Sequence, residues 1–244
     1  MNPPKWIVQS SVLLTGRNSW RRFLDLLFPP RCVGCGQVGT WLCAGCLDQI
    51  PRVESPFCAR CGDVVAGGAP LCARCQTAPL QIERIRSVVY FEGALRKAMH
   101  GLKYRGRAVL AEPMGELMAA YWMQHSMPAD LMVPVPLHAD RLRERGYNQA
   151  ALLAREMARR ARLVVEEQAL VRQRATASQV KLDARQRKEN VRDAFHCSGN
   201  SLTGKRVLLI DDVCTTGATL EACAVALYAG GARGVQALTL ARAR

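Results

Sequence analysis

The chain has 244 residues, enough for one domain of ordinary size and a smaller companion, and its 49% apolar content is that of a folded chain rather than a disordered one. With 34 Lys and Arg against 20 Asp and Glu, the formal charge is +14, which favours a polyanionic partner, either nucleic acid or a phosphorylated small molecule. No run of about 18 apolar residues is present, which argues against a membrane-spanning helix.

Residues 1–30 form a lead-in whose short apolar patches are broken by Arg17, Arg21, Arg22 and Asp25. This pattern lacks the uninterrupted apolar stretch and small-residue cleavage site of an export signal, so a cytoplasmic protein is expected. Trp20 to Phe28 reads as an amphipathic helix ended by Pro29-Pro30.

Residues 31–80 are dominated by cysteine. Eight of the eleven Cys fall in four C-x-x-C pairs: Cys32/Cys35, Cys43/Cys46, Cys58/Cys61 and Cys72/Cys75. Each pair can turn two thiolates toward one metal, and tetrahedral zinc needs two such knuckles. Disulfides suit secreted domains, and a redox C-x-x-C normally occurs once. Structural Zn²⁺ is therefore expected, with the first four Cys on one ion and the last four on another as the preferred pairing; interleaved ligation fits the spacing as well. The small apolar set of Val33, Trp41, Leu42, Leu47, Phe57 and Leu71 makes metal binding part of folding.

From about residue 85 to 244 strand-like and helix-like pieces alternate. The pattern predicts strands near 87–91, 131–135, 207–210 and 234–240, and helices near 94–103, 108–124, 147–162 and 218–229. Asn148 suits the helix cap. Few aromatics and this alternation give an α/β class, a mainly parallel sheet with flanking helices preceded by the small zinc module.

The sharpest chemistry lies in 207–220. A short apolar strand delivers Asp211 and Asp212 to its carboxyl end, where open α/β sheets bind ligands. Thr215, Thr216, Gly217, Ala218 and Thr219 follow as a turn and helix start, whose backbone N–H groups form a phosphate cradle. Carboxylates before that cradle suit ribose hydroxyls, with a 5′-phosphate in the loop. Within 207–220 there is no Walker loop and no G-x-G-x-x-G. Cys214, inside the loop, is expected to be exposed.

The Asp211–Thr219 stretch resembles the phosphoribosyl-diphosphate signature of type I phosphoribosyltransferases. The wider chain resembles the ComF family, a competence-protein group similar to amidophosphoribosyltransferases. Co-linear with it are Phe28-Pro29-Pro30-Arg31-Cys32, the Cys pairs, Lys103-Tyr104-Arg105-Gly106-Arg107, Val133-Pro134-Val135-Pro136, Arg141-x3-Arg145-Gly146-Tyr147-Asn148-Gln149 and Arg174-x-Thr176-x2-Gln179. The resemblance implies that Pro134 and Val135 lead into a pyrophosphate loop, with Arg141 and Arg145 on the diphosphate. It also implies that 172–195 is a hood over the site, with Thr176, Gln179, Arg185 and Asn190 as its polar contacts. Phosphoribosyl diphosphate with Mg²⁺ is the implied ligand, and the acceptor stays open. The family likewise implies a part in uptake or processing of incoming DNA. That leaves a non-catalytic single-stranded-DNA-binding factor, or the docking of a helicase or other DNA-uptake protein, as rival readings. The basic clusters Arg141/Arg143/Arg145 and Arg155/Arg159/Arg160/Arg162 suit them. Lys103 and Arg107 are expected near the same cleft.

Overall fold

A computed structural model describes residues 29–174, 186, 190–191, 193–199 and 202–244; the expected lead-in helix lies outside them. In chain order the strands are β1 (Arg84–Tyr90), β2 (Leu131–Pro134), β3 (Val164–Val165), β4 (Leu170–Arg172), β5 (Phe195–Cys197), β6 (Arg206–Cys214) and β7 (Gly234–Arg242). The α-helices are α1 (Ala44–Asp48), α2 (Ala73–Thr77), α3 (Gly93–Tyr104), α4 (Ala111–Gln124), α5 (Ala139–Arg145), α6 (Gln149–Ala161) and α7 (Ala218–Ala229).

Five strands lie side by side in the order β1-β7-β6-β2-β3, each pair parallel. The apolar run at the start of β6 explains why the sheet is covered on both faces. Leu208 and Ile210 turn toward α4 and α6, where Met114, Met118, Leu153 and Met157 are buried. Val207 and Leu209 turn the other way, toward Leu220, Cys223 and Leu227 of α7. The antiparallel pair β4–β5 joins that second layer through Leu170 and Phe195.

The direction of the connections fixes where a ligand crevice falls. From β2 the chain passes through α6 to β3 on one side; from β6 it passes through α7 to β7 on the other. The order therefore reverses between β2 and β6, and open α/β sheets bind their ligands at the carboxyl ends of strands at such a point.

The cysteine-rich module is less separate than its composition suggests. Cys32, Leu42, Cys43 and Ile50 share one core with Val88, Leu95 and Met99 of the larger unit. Residues 51–53 run along the outer edge of β1: Tyr90 N donates to Pro51 O at 2.8 Å and Val53 N to Val88 O at 3.2 Å, with Arg52 bridging Val89. The strap covers what would be a bare sheet edge. Only the second half of the module, with Cys58, Cys61, Val65 and Cys75, keeps a small core of its own.

Candidate metal centres and phosphoribosyl crevice

The four Sγ atoms of Cys32, Cys35, Cys43 and Cys46 all lie within 4.8 Å of one another, as do those of Cys58, Cys61, Cys72 and Cys75. A tetrahedron with Zn–S of about 2.3 Å sets its sulfurs roughly 3.8 Å apart. The Cys35–Cys43 and Cys61–Cys72 separations, each 3.6 Å, fit that cage. The sequential pairing is the one formed, and no cysteine is in a disulfide. Thiol chemistry agrees. Burial pushes the Cys32 thiol up, but the amides of Cys43, Cys35 and Gly34 outweigh it and hold its pKa at about 6. Cys58 is likewise held at about 6 against its burial, by the amides of Cys72, Cys61 and Arg60. Burial, and then the neighbouring sulfurs of Cys43, Cys35 and Cys32, push Cys46 up to about 12. Four thiolates can coexist in so small a space only around a cation.

At the switch point β6 is longer than its apolar run. Val213 and Cys214 pair with Ala241 and Arg242 of β7, so Asp211 and Asp212 sit within the strand rather than after it. Asp212 is buried and Asp211 half-buried. Asp211 Oδ1 accepts from Asp212 N at 2.8 Å, and Asp212 Oδ1 accepts from Val213 N at 2.8 Å. Asp212 Oδ2 is paired with the Lys103 ammonium from the last turn of α3. Burial would raise the Asp212 carboxyl, but the Lys103 charge holds it below its usual range. Burial, then the neighbouring Asp212 charge, drive Asp211 well above that range. The two carboxyls are thus pushed in opposite directions, a division typical of functional sites.

The loop after β6 ends on Gly217, with φ +80°, which caps α7. A Cβ there would sit 2.9 Å from Ile85 Cδ1 as well as strain the backbone, so this position is built for glycine. Thr215 is exposed; Thr216 Oγ1 accepts a long bond, 3.4 Å, from Ala218 N. Asp211, Thr215, Gly217 and Thr219 line a shallow hollow of about 20 Å³ at the start of α7. A larger cavity of about 870 Å³ starts from Thr216 and Ala218 and follows the outer face of α7, bounded by Leu80 and Phe195.

Residues 23–76 match the double zinc ribbon domain and 145–244 the phosphoribosyl transferase domain. The DNA utilization protein YhgH of Escherichia coli is 31% identical over 84% of this chain and 92% of its own. Competence protein F of Haemophilus influenzae is 29% identical over 87% and 97%. The chain belongs to the ComF family. Among solved structures, a glutamine phosphoribosylpyrophosphate amidotransferase from B. subtilis is 18% identical with a TM-score of 0.40, covering 58% of this ComF chain and 30% of its own length.

The expected diphosphate residues of the ComF chain are only partly gathered. Pro134 and Val135 are buried; Val135 N donates to Ile210 O at 2.9 Å, and Asn148 Nδ2 donates to Val135 O at 2.9 Å while its Oδ1 caps α6. They shape the crevice through backbone rather than side chains. Arg141 is exposed on α5 and pairs with Glu144 at 3.3 Å. Arg145 is half-buried, donates to Gln149 and lies 5.5 Å over the Tyr104 ring. Of the hood residues, Thr176, Gln179 and Arg185 lie outside the described residues. Asn190 is half-buried, and its carbonyl accepts from Arg174 at 3.2 Å. His138 caps α5, its Nδ1 accepting from Asp140 N at 3.3 Å.

Cys214 corrects an expectation. It is buried, 3% exposed, because β6 continues through it and Arg242 closes over it; burial pushes its thiol up to about 11. A thiol so placed is not a nucleophile at neutral pH. The Arg155–Arg160 cluster is locally neutralised as well: Arg155 pairs with Glu167 at 2.7 Å, Arg159 with Glu156 at 2.7 Å, and Arg160 with Glu116. Arg242 gave no sign of importance in the sequence. Nothing in its spacing from the Cys pairs or from Asp211 marks it.

Among the described residues no helix is long and apolar enough to cross a membrane.

Proposed function

We propose that this ComF chain binds phosphoribosyl diphosphate with Mg²⁺ in the crevice between β2 and β6 and transfers its phosphoribosyl group to an acceptor, in a role linked to the use of incoming DNA. The observation that supports this most is the reversal of strand order beside Asp211, Asp212 and the Gly217-capped helix start. In this reading the amides and hydroxyls of Thr215–Thr219 hold the 5′-phosphate, and Asp211 and Asp212 hold the ribose hydroxyls. Arg141 and Arg145 approach the diphosphate as bidentate donors. Mg²⁺ bound with the diphosphate would spread its negative charge. The bond from C1 to the diphosphate breaks with its electron pair leaving on diphosphate, and the acceptor bonds C1 and gives up a proton. Donors fixed where charge gathers on the departing group lower the barrier, typically by about 2.7–4 kcal/mol each.

Pyrophosphate release, followed across nucleobase, amine and nucleic-acid-end acceptors, tests the transfer. Release that depends on one acceptor and disappears in Asp212→Asn supports it. Identical release by wild type and Asp212→Asn removes the site assignment.

The names of the relatives, a DNA utilization protein and a competence protein, favour a second reading: a single-stranded-DNA-binding factor that uses the crevice for a ligand rather than a reaction. Filter binding over a salt series separates the two, since phosphate contacts give a steep fall of affinity with salt.

A further inference from the structure

The Cys58/Cys61 knuckle of the second zinc site and the loop at Thr215–Thr219 are joined by one buried side chain. Arg242, 3% exposed at the end of β7, donates from Nη1 to Cys61 O at 3.1 Å. The same nitrogen lies 3.8 Å from Cys214 Sγ, the residue before Thr215. Its Nε and Nη2 reach Asp63 Oδ1 at 3.3 and 3.1 Å. A planar guanidinium can serve all three acceptors at once, which a lysine ammonium cannot do in the same plane.

A second, independent path runs through Ile85. Ile85 N donates to Arg60 O at 2.7 Å inside the knuckle. A Cβ on Gly62 would lie 2.6 Å from Ile85 O, and one on Gly217 would lie 2.9 Å from Ile85 Cδ1. Ile85 is therefore wedged between the glycine of the knuckle and the glycine of the loop. Arg86 adds a tether, donating to Ala59 O at 3.0 Å. The first cysteine cluster packs instead against α3, through Gly34 and Lys97.

We propose that Arg242 is a positioning residue that couples the second zinc site to the phosphoribosyl loop, so that zinc held by Cys58, Cys61, Cys72 and Cys75 and phosphate ligand in the loop stabilise each other. The inference rests on the phosphoribosyl reading of the loop. Its physical basis is that a knuckle this small is shaped by its metal. When the metal leaves, the carbonyls of Arg60 and Cys61 lose their fixed positions, and with them Ile85 and Arg242. Coupling between two sites is reciprocal, so the ligand must also slow loss of that zinc.

The test uses the full-length, zinc-loaded chain. A zinc chelator and iodoacetamide are added with and without saturating phosphoribosyl diphosphate and Mg²⁺, and peptide mapping follows alkylation of each cysteine. Calorimetry on the same sample establishes whether the ligand binds. The expected result is that Cys58–Cys75 are alkylated at least about fivefold more slowly with ligand, the lower end of usual coupling strengths, while Cys32–Cys46 are unaffected. In Arg242→Met, which still carries two zincs, the protection disappears; Arg242→Lys restores little of it. If the ligand binds and neither cluster is protected, the coupling is wrong. Equal protection of both clusters reports general stabilisation and also overturns it. If wild type binds no ligand by calorimetry, the phosphoribosyl reading itself falls and the coupling goes with it.

Discussion

The ammonium of Lys103, in the last turn of α3, closes on Oδ2 of Asp212 in β6, and both side chains are largely removed from water. The pair brings together two motifs, Lys103–Arg107 and Asp211–Thr219, that lie far apart in the chain. Burial opposes the Lys103 charge, yet Asp212 raises its pKa above the ordinary lysine value. Each charge is tolerated because the other is there.

Removing one partner should therefore hurt more than removing both. Lys103→Met is expected to destabilise by about 3–5 kcal/mol, because Asp212 is left buried and unpaired. Lys103→Met combined with Asp212→Leu should recover most of that loss. Urea unfolding of the single and double variants measures the difference.

Asp211 and Asp212 should respond to pH with opposite signs. Asp212, with its pKa held down, adds stability above the unfolded-state value of about 3.9, and that stability is lost as pH falls through its folded pKa. Asp211, with its pKa raised, penalises the fold once pH rises through its folded value. Asp211→Asn should accordingly raise the melting temperature of the ligand-free protein at pH 7.5, with a gain that shrinks toward pH 4. Asp212→Asn should lower it at pH 7.5. Thermal scans across that range decide both signs.

Much of this was readable in advance, and the gaps have physical reasons. The four C-x-x-C pairs are local, so spacing alone points to metal; the division into two sequential cages is visible only in the fold. The helix at Ala218–Ala229 was legible because its apolar run is bounded by Gly217 and Gly230. Helix α5 was not, since Ala139–Arg145 has no apolar stripe and no buried residue. The apolar run marks the strand only over 207–210, with the acids at its carboxyl end and Cys214 in the loop; the pairing of Val213 and Cys214 with Ala241 and Arg242 is what extends β6 past them. Lys103 was expected near the cleft, but its partner was invisible, as was the Arg242 contact with Cys61. Such meetings are properties of the sheet and leave no trace in spacing.

The strap at 51–53 and the shared core predict that the larger unit does not stand alone. A fragment of 81–244 would bare the β1 edge and the buried faces of Val88, Val89 and Leu95. It should be recovered largely insoluble, or should unfold at much lower denaturant than the full chain. Equal midpoints for fragment and full chain would show the contact to be superficial.

Gly217→Ala should separate binding from folding. The left-handed backbone costs an ordinary residue roughly 1–2 kcal/mol, and the new Cβ meets Ile85. The fold has other support, so the chain should still melt cooperatively while phosphoribosyl affinity falls at least about tenfold.

Arg141 offers the cleanest probe of the diphosphate. Its pair with Glu144 is exposed and worth under about 1 kcal/mol. Arg141→Ala should leave stability within about 0.5 kcal/mol of wild type, so weakened binding of phosphoribosyl diphosphate, with ribose 5-phosphate unchanged, reports the lost contact directly.

A sugar phosphate should bind at the carboxyl ends of β2 and β6, beside the start of α7. Calorimetric titration of the zinc-loaded wild-type chain with ribose 5-phosphate, and then with phosphoribosyl diphosphate and Mg²⁺, asks this most directly. One saturable site per chain is expected for both ligands, tighter for the diphosphate. Absence of saturable heat with either would contradict it.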